Sequence, residues 1–136
     1  MLPLLHPQIA LELWRRALVE SVRRESPDLT ARQLAVMLTV YKTDPPHTVR
    51  GLAATLGVSK PAITRAVDRL SRLGFVRRRR DETDRRNVLI QRTMKGSVYL
   101  SEFADIVTAA SRDLPTASRP SIAGGGEAGG LRNTPG

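Results

Sequence analysis

Apolar residues recur every three or four positions in five segments of the chain, and short polar or proline-containing breaks separate these segments. A spacing of three to four residues places apolar side chains along one side of an α-helix. Each predicted helix therefore has a face to bury against its neighbours. The five predicted helices cover residues 8–25, 31–42, 49–56, 60–73 and 94–112.

The apolar faces of these helices predict what is buried. In the first helix the face is wide, because Leu11, Trp14, Leu18 and Val22 lie beside the main stripe. A wide face needs more than one neighbour to cover it, so it either packs within the domain or forms a subunit interface. The second and fifth helices have narrower stripes, which we expect to be buried. These are Leu34, Met37, Leu38 and Tyr41 in the second helix and Leu100, Phe103, Val107 and Ala110 in the fifth.

Capping residues mark where the helices begin and end. Thr30 and Gln33 have the spacing of a capping box, in which each side chain accepts the other residue's backbone N–H. Thr48 and Ser59 are N-cap candidates for the third and fourth helices. Gly57 between them suits the left-handed conformation that ends a helix. The third and fourth helices are therefore joined by a tight turn, which is typical of a helix-turn-helix.

Residues 75–80 and 87–92 have the length and composition of two short strands, and residues 81–84 supply the turn between them. Val88 and Ile90 share one face of the second strand, which we expect to pack under the helices. The expected fold is therefore mainly α with a small β-hairpin wing. It is a winged helix-turn-helix flanked by an N-terminal and a C-terminal helix.

The composition changes after Leu114, where 16 of the last 22 residues are Gly, Pro, Ser, Thr or Ala. Such a segment cannot bury enough apolar surface to fold, so we expect a disordered tail. A native tail and a gene altered near residue 112 both fit this change. The predicted organisation is an N-terminal helical region (1–30), a DNA-binding domain (31–93), a C-terminal helix (94–114) and the tail (115–136).

The positive charge of the chain is concentrated on one unit. The 136 residues have a net charge of +9 and a sequence pI near 11.3. Residues 48–95 contain 13 Lys or Arg and 4 Asp or Glu, whereas the remainder contains nine of each. The whole excess therefore lies on the predicted winged helix. This distribution favours double-stranded DNA as the partner, ahead of an anionic membrane.

The fourth helix is the candidate recognition helix. With its apolar residues facing inward, its first turns present polar and cationic side chains outward, and the N-terminal part of such a helix points at base edges. Arg65 can pair with guanine O6 and N7, and Thr64 can contact a base or a thymine methyl. Ser59 at the helix start suits a phosphate, and Arg69 is a candidate backbone contact. The predicted DNA-binding residues of this helix are Ser59, Lys60, Pro61, Thr64, Arg65 and Arg69.

The hairpin carries a run of four arginines, residues 77–80, and two more beyond its tip. Consecutive strand residues point to opposite faces, so the four cannot all contact one ligand. Arg77 and Arg79 are assigned to supporting the wing, partly by protecting a sheet edge. Arg85 and Arg86 are candidate minor-groove contacts, because the negative potential is deepest in a narrow minor groove. Asp84 is expected to orient Arg86 through a charge-assisted hydrogen bond.

The sequence argues against several other functions. There are no cysteines, and the two histidines, His6 and His47, form no metal-ligand cluster and are interpreted as polar surface residues. No cofactor is expected. No nucleophile–base pair, phosphate-binding loop or paired carboxylate indicates an enzyme. The absence of an export signal or a membrane-length apolar run favours a cytoplasmic, nucleoid-associated protein.

Two stretches resemble the MarR family of bacterial winged-helix regulators. The first is LAATLGVSKPAITRAVDRLSRLGFVRR at 52–78, and the second is DRRNVLIQRTMKG at 84–96. The second is similar to the wing signature of the family, which Asp84, Arg86, Thr93 and Gly96 match. Arg92 stands where the family has Leu, and we expect its stem to pack and its charged head to lie in water.

The resemblance implies a homodimer, held by its terminal helices, that binds a pseudo-palindrome. Each recognition helix would enter one of two successive major grooves, about 34 Å apart. It also implies that Arg86 at the wing tip contacts the minor groove. Many family members bind small phenolic or lipophilic ligands between the dimer interface and the winged helix. After residue 112 the chain departs from the family, in which further helices usually follow. A small-molecule effector is therefore left as an open alternative.

The sequence favours a homodimeric, sequence-specific transcription regulator that represses by occupying promoter DNA. Two alternatives remain at this level. One is an architectural DNA-binding protein without ligand input. The other is a winged helix whose basic wing meets an acidic protein.

Overall fold

The computed structural model describes residues 6–114, so the predicted disordered tail lies outside the described residues. The described residues form five helices and one antiparallel hairpin, and the predicted mainly helical fold with a hairpin wing is confirmed. The predicted bounds of all seven helices and strands are correct to within two residues. The elements are α1 (Pro7–Arg23), α2 (Ala31–Lys42), α3 (Val49–Leu56), α4 (Lys60–Arg72), β1 (Val76–Arg80), β2 (Val88–Arg92) and α5 (Met94–Ser111).

The predicted helix caps are present. The Thr30 hydroxyl accepts the amide of Gln33 at 3.1 Å, and the Gln33 side chain accepts the amide of Thr30 at 3.0 Å, which is the complete capping box. Ser59 caps α4 by accepting the amide of Ala62 at 3.2 Å. Gly57 ends α3 with φ +68°, a left-handed conformation that glycine adopts without strain. The turn of the helix-turn-helix is therefore built as its sequence predicts.

Residues 27–103 form one unit with its own core. The predicted stripe of α2 is partly wrong, since Leu34, Leu38 and Tyr41 are only half buried. The fully buried α2 side chains are instead those that face α3, α4 and β2 together, because α2 packs against all three elements. The most deeply buried side chains are Val36, Met37, Val40, Leu52, Ile63, Val67, Leu70, Val76 and Ile90.

The hairpin pairs β1 with β2 in an antiparallel register that sets Arg78 opposite Ile90. Ile90 is buried and Val88 half buried on the inner face, as predicted. A third backbone segment joins β2, because the Ile90 amide donates to the His47 carbonyl at 2.8 Å. His47 is therefore not a surface residue: it is 9% exposed, and its ring bonds to the Thr43 carbonyl at 3.2 Å.

Arg92 joins the end of the wing to the end of α2. Its guanidinium donates to the carbonyls of Val40 at 2.9 Å and Thr43 at 3.0 Å. Arg92 is exposed, as expected, and its guanidinium is in addition hydrogen-bonded to these two carbonyls, which the sequence did not predict. Carbonyls at a helix C-terminus lack intrahelical partners, and a cation there satisfies them.

The second unit contains residues 6–26 and 104–114 of the described chain. Ala17 of α1 and Ile106 of α5 are its buried apolar residues. The α5 stripe is thus rotated from the predicted one, since Val107 is only half buried. His6 caps α1 by accepting the Gln8 amide at 3.2 Å, so it also has a structural role. Most of the wide apolar face of α1 remains exposed, at Leu11 (62%), Trp14 (50%), Leu18 (43%) and Val22 (70%).

Candidate nucleic-acid interface

Helix α4 presents one fully buried side and one cationic side. Ile63, Val67 and Leu70 are inaccessible to solvent, which fixes the rotation of the helix about its axis. Because side chains repeat every 3.6 residues, the opposite side must then face outward. The predicted contact residues Lys60, Pro61, Thr64 and Arg65 are all exposed there, in the first turns of the helix. The structure thus brings these predicted contacts to one surface.

Arg65 and Lys60 are cations that no protein group engages within the described residues 6–114. Neither donates a side-chain hydrogen bond or forms an ion pair there. A guanidinium presents several donors in a planar fork that can pair with two acceptors on one base edge. Arg65 is therefore free to bind an external acceptor.

Arg69 differs from this pair. Its guanidinium donates to the carbonyl of Asp28, ahead of α2, at 3.2 Å. The side chain is half buried. Arg69 therefore braces α4 against the chain before α2, and only its remaining donors can reach a phosphate. Asp68, its neighbour, accepts a hydrogen bond from Arg78 of β1, which ties the helix to the wing.

Each of the four arginines of β1 has a different acceptor. Residues 77 and 79 lie on the outer face of the hairpin and residues 78 and 80 on the inner face, as the alternation predicts. The four pairs are Arg77 with the Gln91 side chain at 3.3 Å, Arg78 with Asp68, Arg79 with Glu82 at 3.7 Å, and Arg80 with the Arg85 carbonyl at 2.7 Å.

The wing tip is held by its own side chains. Asp84 accepts the amide of Arg86 at 3.2 Å and its guanidinium at 3.3 Å, the orientation predicted for this pair. The Arg86 side chain is nonetheless 91% exposed. Arg85 is exposed as well, and its side chain has no hydrogen-bond partner in the described part of the chain. Both predicted tip arginines therefore project outward.

Asp81 accepts two hydrogen bonds within the turn at the wing tip. The hydroxyl of Thr83 donates to Asp81 at 2.7 Å and its amide donates at 2.9 Å. These hydrogen bonds, the hydroxyl first, lower the pKa of the Asp81 carboxyl below its usual value. Asp81 and Asp84 thus serve the turn, while the arginines point away from it.

Sequence reasoning missed Arg50. It lies in the first turn of α3, is exposed and has no side-chain partner within residues 6–114. The first helix of a helix-turn-helix crosses the DNA backbone, so a cation here is placed to meet a phosphate. Its position next to the capping Thr48, in the basic segment, was the available signal.

A helix-turn-helix with an outward cationic face, followed by an arginine-rich hairpin, defines a winged-helix DNA-binding protein. The model of the MarR family matches residues 28–87. CouR from Rhodococcus jostii RHA1, a structure bound to p-coumaroyl-CoA, is 30% identical over 76% of this chain and 67% of that one, with a TM-score of 0.56. BldR from Sulfolobus solfataricus is 29% identical over 75% and 73% of the two chains, with a TM-score of 0.55.

The chain belongs to the MarR family. Members of this family are non-enzymatic DNA-binding proteins, and this chain is accordingly a DNA-binding transcription regulator. A MarR family protein from Bacillus stearothermophilus has the same fold at 24% identity, covering 75% of this chain and 68% of that one with a TM-score of 0.60. The chain spans about two thirds of the length of such relatives. No curated protein matches the sequence.

Two further observations concern the described residues. None of their helices combines the length and apolar character needed to cross a membrane. Within residues 6–114, no three side chains of His, Cys, Asp or Glu come together in a way that could hold a metal ion.

Proposed function

We propose that this chain is a homodimeric repressor that binds a pseudo-palindromic operator. Residues 60–73 read base edges in the major groove, and the wing, residues 75–92, contacts the flanking minor groove. The proposed repressor acts in the cytoplasm. The observation that carries the proposal is the free, exposed Arg65 on the outer side of a helix whose inner side is fully buried.

Charge and geometry support the major-groove assignment. Arg65 lies in the second turn of α4, after Lys60 and the Ser59 cap, and the N-terminal part of a recognition helix meets the bases. Ser59 and the amides around it suit a phosphate. Arg69 and Arg50 add backbone contacts on either side. Phosphate contacts set the register, whereas Arg65 and Thr64 supply the sequence information.

The exposed stripe of α1 supports a dimer. Leu11, Trp14, Leu18 and Val22 recur every three or four residues along one face, and each is at least 40% exposed. Contiguous exposed apolar surface is typical of an interaction site. A second copy of the chain is the proposed occupant, with α1 and α5 (the parts within 1–30 and 94–114) forming the interface. Two subunits would place their recognition helices on two half-sites.

Repression follows from occupancy of promoter DNA by such a dimer. Among the solved relatives, CouR was crystallised with p-coumaroyl-CoA. A small-molecule effector for this chain is an open extension of the proposal and not part of it. The proposal needs only specific DNA binding.

The test is selection of genomic fragments with purified protein at about 150 mM salt, followed by footprinting of the best site. We expect a protected pseudo-palindrome with half-sites about one helical turn apart, bound at least about 10³-fold more tightly than unrelated DNA. Salt-sensitive binding without sequence preference would contradict the proposal and favour an architectural protein. No binding at physiological salt would contradict it in favour of a protein-interaction module.

A further inference from the structure

We propose that Arg78 controls sequence selectivity from the wing, by engaging Asp68 so that Arg65 remains free to contact a base. Arg78 is thus a positioning residue for Arg65 and acts through Asp68. The inference rests on the proposed function, since it assigns a role within the same DNA-reading surface. It explains why an acidic residue can lie beside the residues that meet DNA.

Asp68 lies next to Arg65 on the helix surface. Residues three apart on a helix are neighbours, and opposite charges at that spacing attract. Asp68 is half buried on the same side as Thr64 and Arg65, one turn further along α4. Within residues 48–80 it is the sole acidic residue. An unengaged carboxylate at this position would therefore compete with DNA for the Arg65 guanidinium.

The structure shows that the carboxylate is engaged elsewhere. Arg78 lies on the inner face of β1, opposite Ile90, where the strand passes α4. Its guanidinium donates to Asp68 Oδ1, while Arg65 has no partner among residues 6–114. The side chains of Arg78 and Asp68 are 36% and 44% exposed, so the pair is partly shielded from water. Coulomb attraction is stronger in such a setting than in bulk solvent.

Arg72 is the second cation within reach of Asp68. It lies four residues after Asp68, a favourable order for an ion pair on a helix. In this structure Arg72 is exposed and unpaired within the described residues, so Arg78 is the partner that Asp68 takes. Once Arg78 is removed, the Asp68 carboxylate pairs with Arg65 in some molecules and with Arg72 in others. When Arg78 and Arg72 are both removed, Arg65 is the one of these three cations that is left to pair with Asp68.

The experiment measures the specificity ratio, defined as Kd for a shuffled duplex divided by Kd for the duplex that the wild-type protein selects from a random pool. Arg78→Gln should lower this ratio by about fivefold to tenfold, because part of the Arg65 base contact is lost. Arg72→Gln/Arg78→Gln should lower it further. Adding Asp68→Asn to either variant should restore the ratio to within about twofold of wild type. That rescue is a result that a structural role or a phosphate contact would not give.

Arg77→Gln is the matched control. It removes the same charge from the adjacent residue of β1, whose partner is Gln91 on the outer face. The control should weaken binding to both duplexes alike and leave the ratio unchanged. A thermal unfolding curve for each variant checks the fold, and exposed ion pairs contribute little to it.

Three results would overturn the inference. Equal weakening on both duplexes by Arg78→Gln, with the salt dependence falling by about one counterion, would make Arg78 a phosphate contact. If Asp68→Asn does not restore the specificity ratio, the Asp68 carboxylate does not compete for Arg65 and the inference is wrong. If the wild-type protein selects no sequence at all, the proposed function fails together with the inference.

Discussion

The amide nitrogen of Thr93 donates to the hydroxyl of Tyr41 at 2.9 Å, across 52 residues of sequence. The same hydroxyl donates to the carbonyl of Phe75 at 2.6 Å. Thr93 in turn donates from its own hydroxyl to the Gly74 carbonyl at 2.7 Å and caps α5 by accepting the Gly96 amide at 2.9 Å. This junction ties α2, the start of the wing and the start of α5 together.

The junction predicts that Gly96→Ala is strongly destabilising. A Cβ at Gly96 would lie 1.9 Å from the Tyr41 hydroxyl and 2.3 Å from the Phe75 carbonyl, and the latter is backbone that cannot rotate away. Overpacking of this kind costs about 1–3 kcal/mol or more. Urea unfolding monitored by circular dichroism should show a decrease in the free energy of unfolding of at least about 2 kcal/mol.

Gly51→Ala is the matched control for this substitution. Its Cβ would meet a single side-chain atom, Thr48 Oγ1, at 3.3 Å. Alanine also favours the helix by about 0.5–1 kcal/mol over glycine. The control should therefore stay within about 1 kcal/mol of wild type. Equal stabilities for the two alanine variants would mean that the junction tolerates a side chain.

Arg65→Ala should remove about 1–3 kcal/mol of binding free energy and relax specificity at one base pair per half-site. The reason is the bidentate base contact proposed for its free guanidinium. Quantitative binding to a set of singly substituted operators measures both effects. Arg50→Ala serves as the comparison, because loss of a phosphate contact weakens all sequences alike. The same uniform weakening by Arg65→Ala would make Arg65 a backbone contact.

Arg86→Ala should weaken binding most at operators with A·T-rich flanks. A narrow A·T minor groove concentrates negative potential, and an exposed arginine at the wing tip can enter it. Competition binding with operators that differ only in their flanks gives the measurement. Asp84→Asn, which keeps the side-chain shape but removes the charge that holds Arg86, should have a smaller effect of the same kind. Equal losses on G·C-rich and A·T-rich flanks would exclude the minor-groove role.

Trp14→Glu should convert the proposed dimer into a monomer. The substitution places a charge in the middle of the exposed apolar stripe of α1, and burying an unpaired charge at an interface is costly. Sedimentation velocity should show a single species of about 15 kDa. Thr55→Glu, at an exposed position of α3 outside the proposed interface, is the control and should remain dimeric. A wild-type protein that is itself monomeric would refute the dimer.

The hydrogen bonds of the Glu12 carboxylate predict how the stability of the fold changes as the pH falls. Its carboxylate accepts hydrogen bonds from Arg15 at 2.8 Å and 2.9 Å and from Arg16 at 2.9 Å. These bonds, those from Arg15 first, lower the pKa of Glu12 from 4.5 to about 2. The unfolded chain therefore takes up this proton first as the pH falls, and the stabilisation by the ionised form is complete above about pH 4.5 and lost towards pH 2.

The comparison for this prediction is Glu12→Gln. The difference in unfolding free energy between wild type and Glu12→Gln should be constant above about pH 5 and should vanish between pH 4.5 and 2. Titration of the carboxyl carbon by NMR gives the pKa directly. A titration midpoint near 4.5 would show that the arginines do not hold this carboxylate in solution.

Local signals predicted the elements and their caps, because capping and turn chemistry depend on neighbouring residues. The Thr30–Gln33 box and the Gly57 turn were correct for this reason. Burial within a helix depends on which elements pack around it. Val36 and Val40 replaced Leu34 and Leu38 in the core because α2 contacts α3, α4 and β2.

The acceptors of the arginines were beyond sequence reasoning as well. Arg92 reaches the end of α2 across 52 residues, and Arg69 reaches Asp28 across 41. No spacing rule connects such distant positions. The exposed face of α4, by contrast, follows from periodicity alone, which is why the residues proposed to read DNA could be named in advance.

The four arginines of β1 make the wing depend on the order of its charges and on more than their number. Each has its own acceptor, at Gln91, Asp68, Glu82 or the Arg85 carbonyl. Lysine carries the same charge but lacks the planar fork and its several donors. A wing with the same composition and pI, but with its acceptor residues in a different order, would thus lack these hydrogen bonds. Isoelectric point and charge counts indicate that this chain binds nucleic acid. They do not distinguish a wing that folds from one that does not.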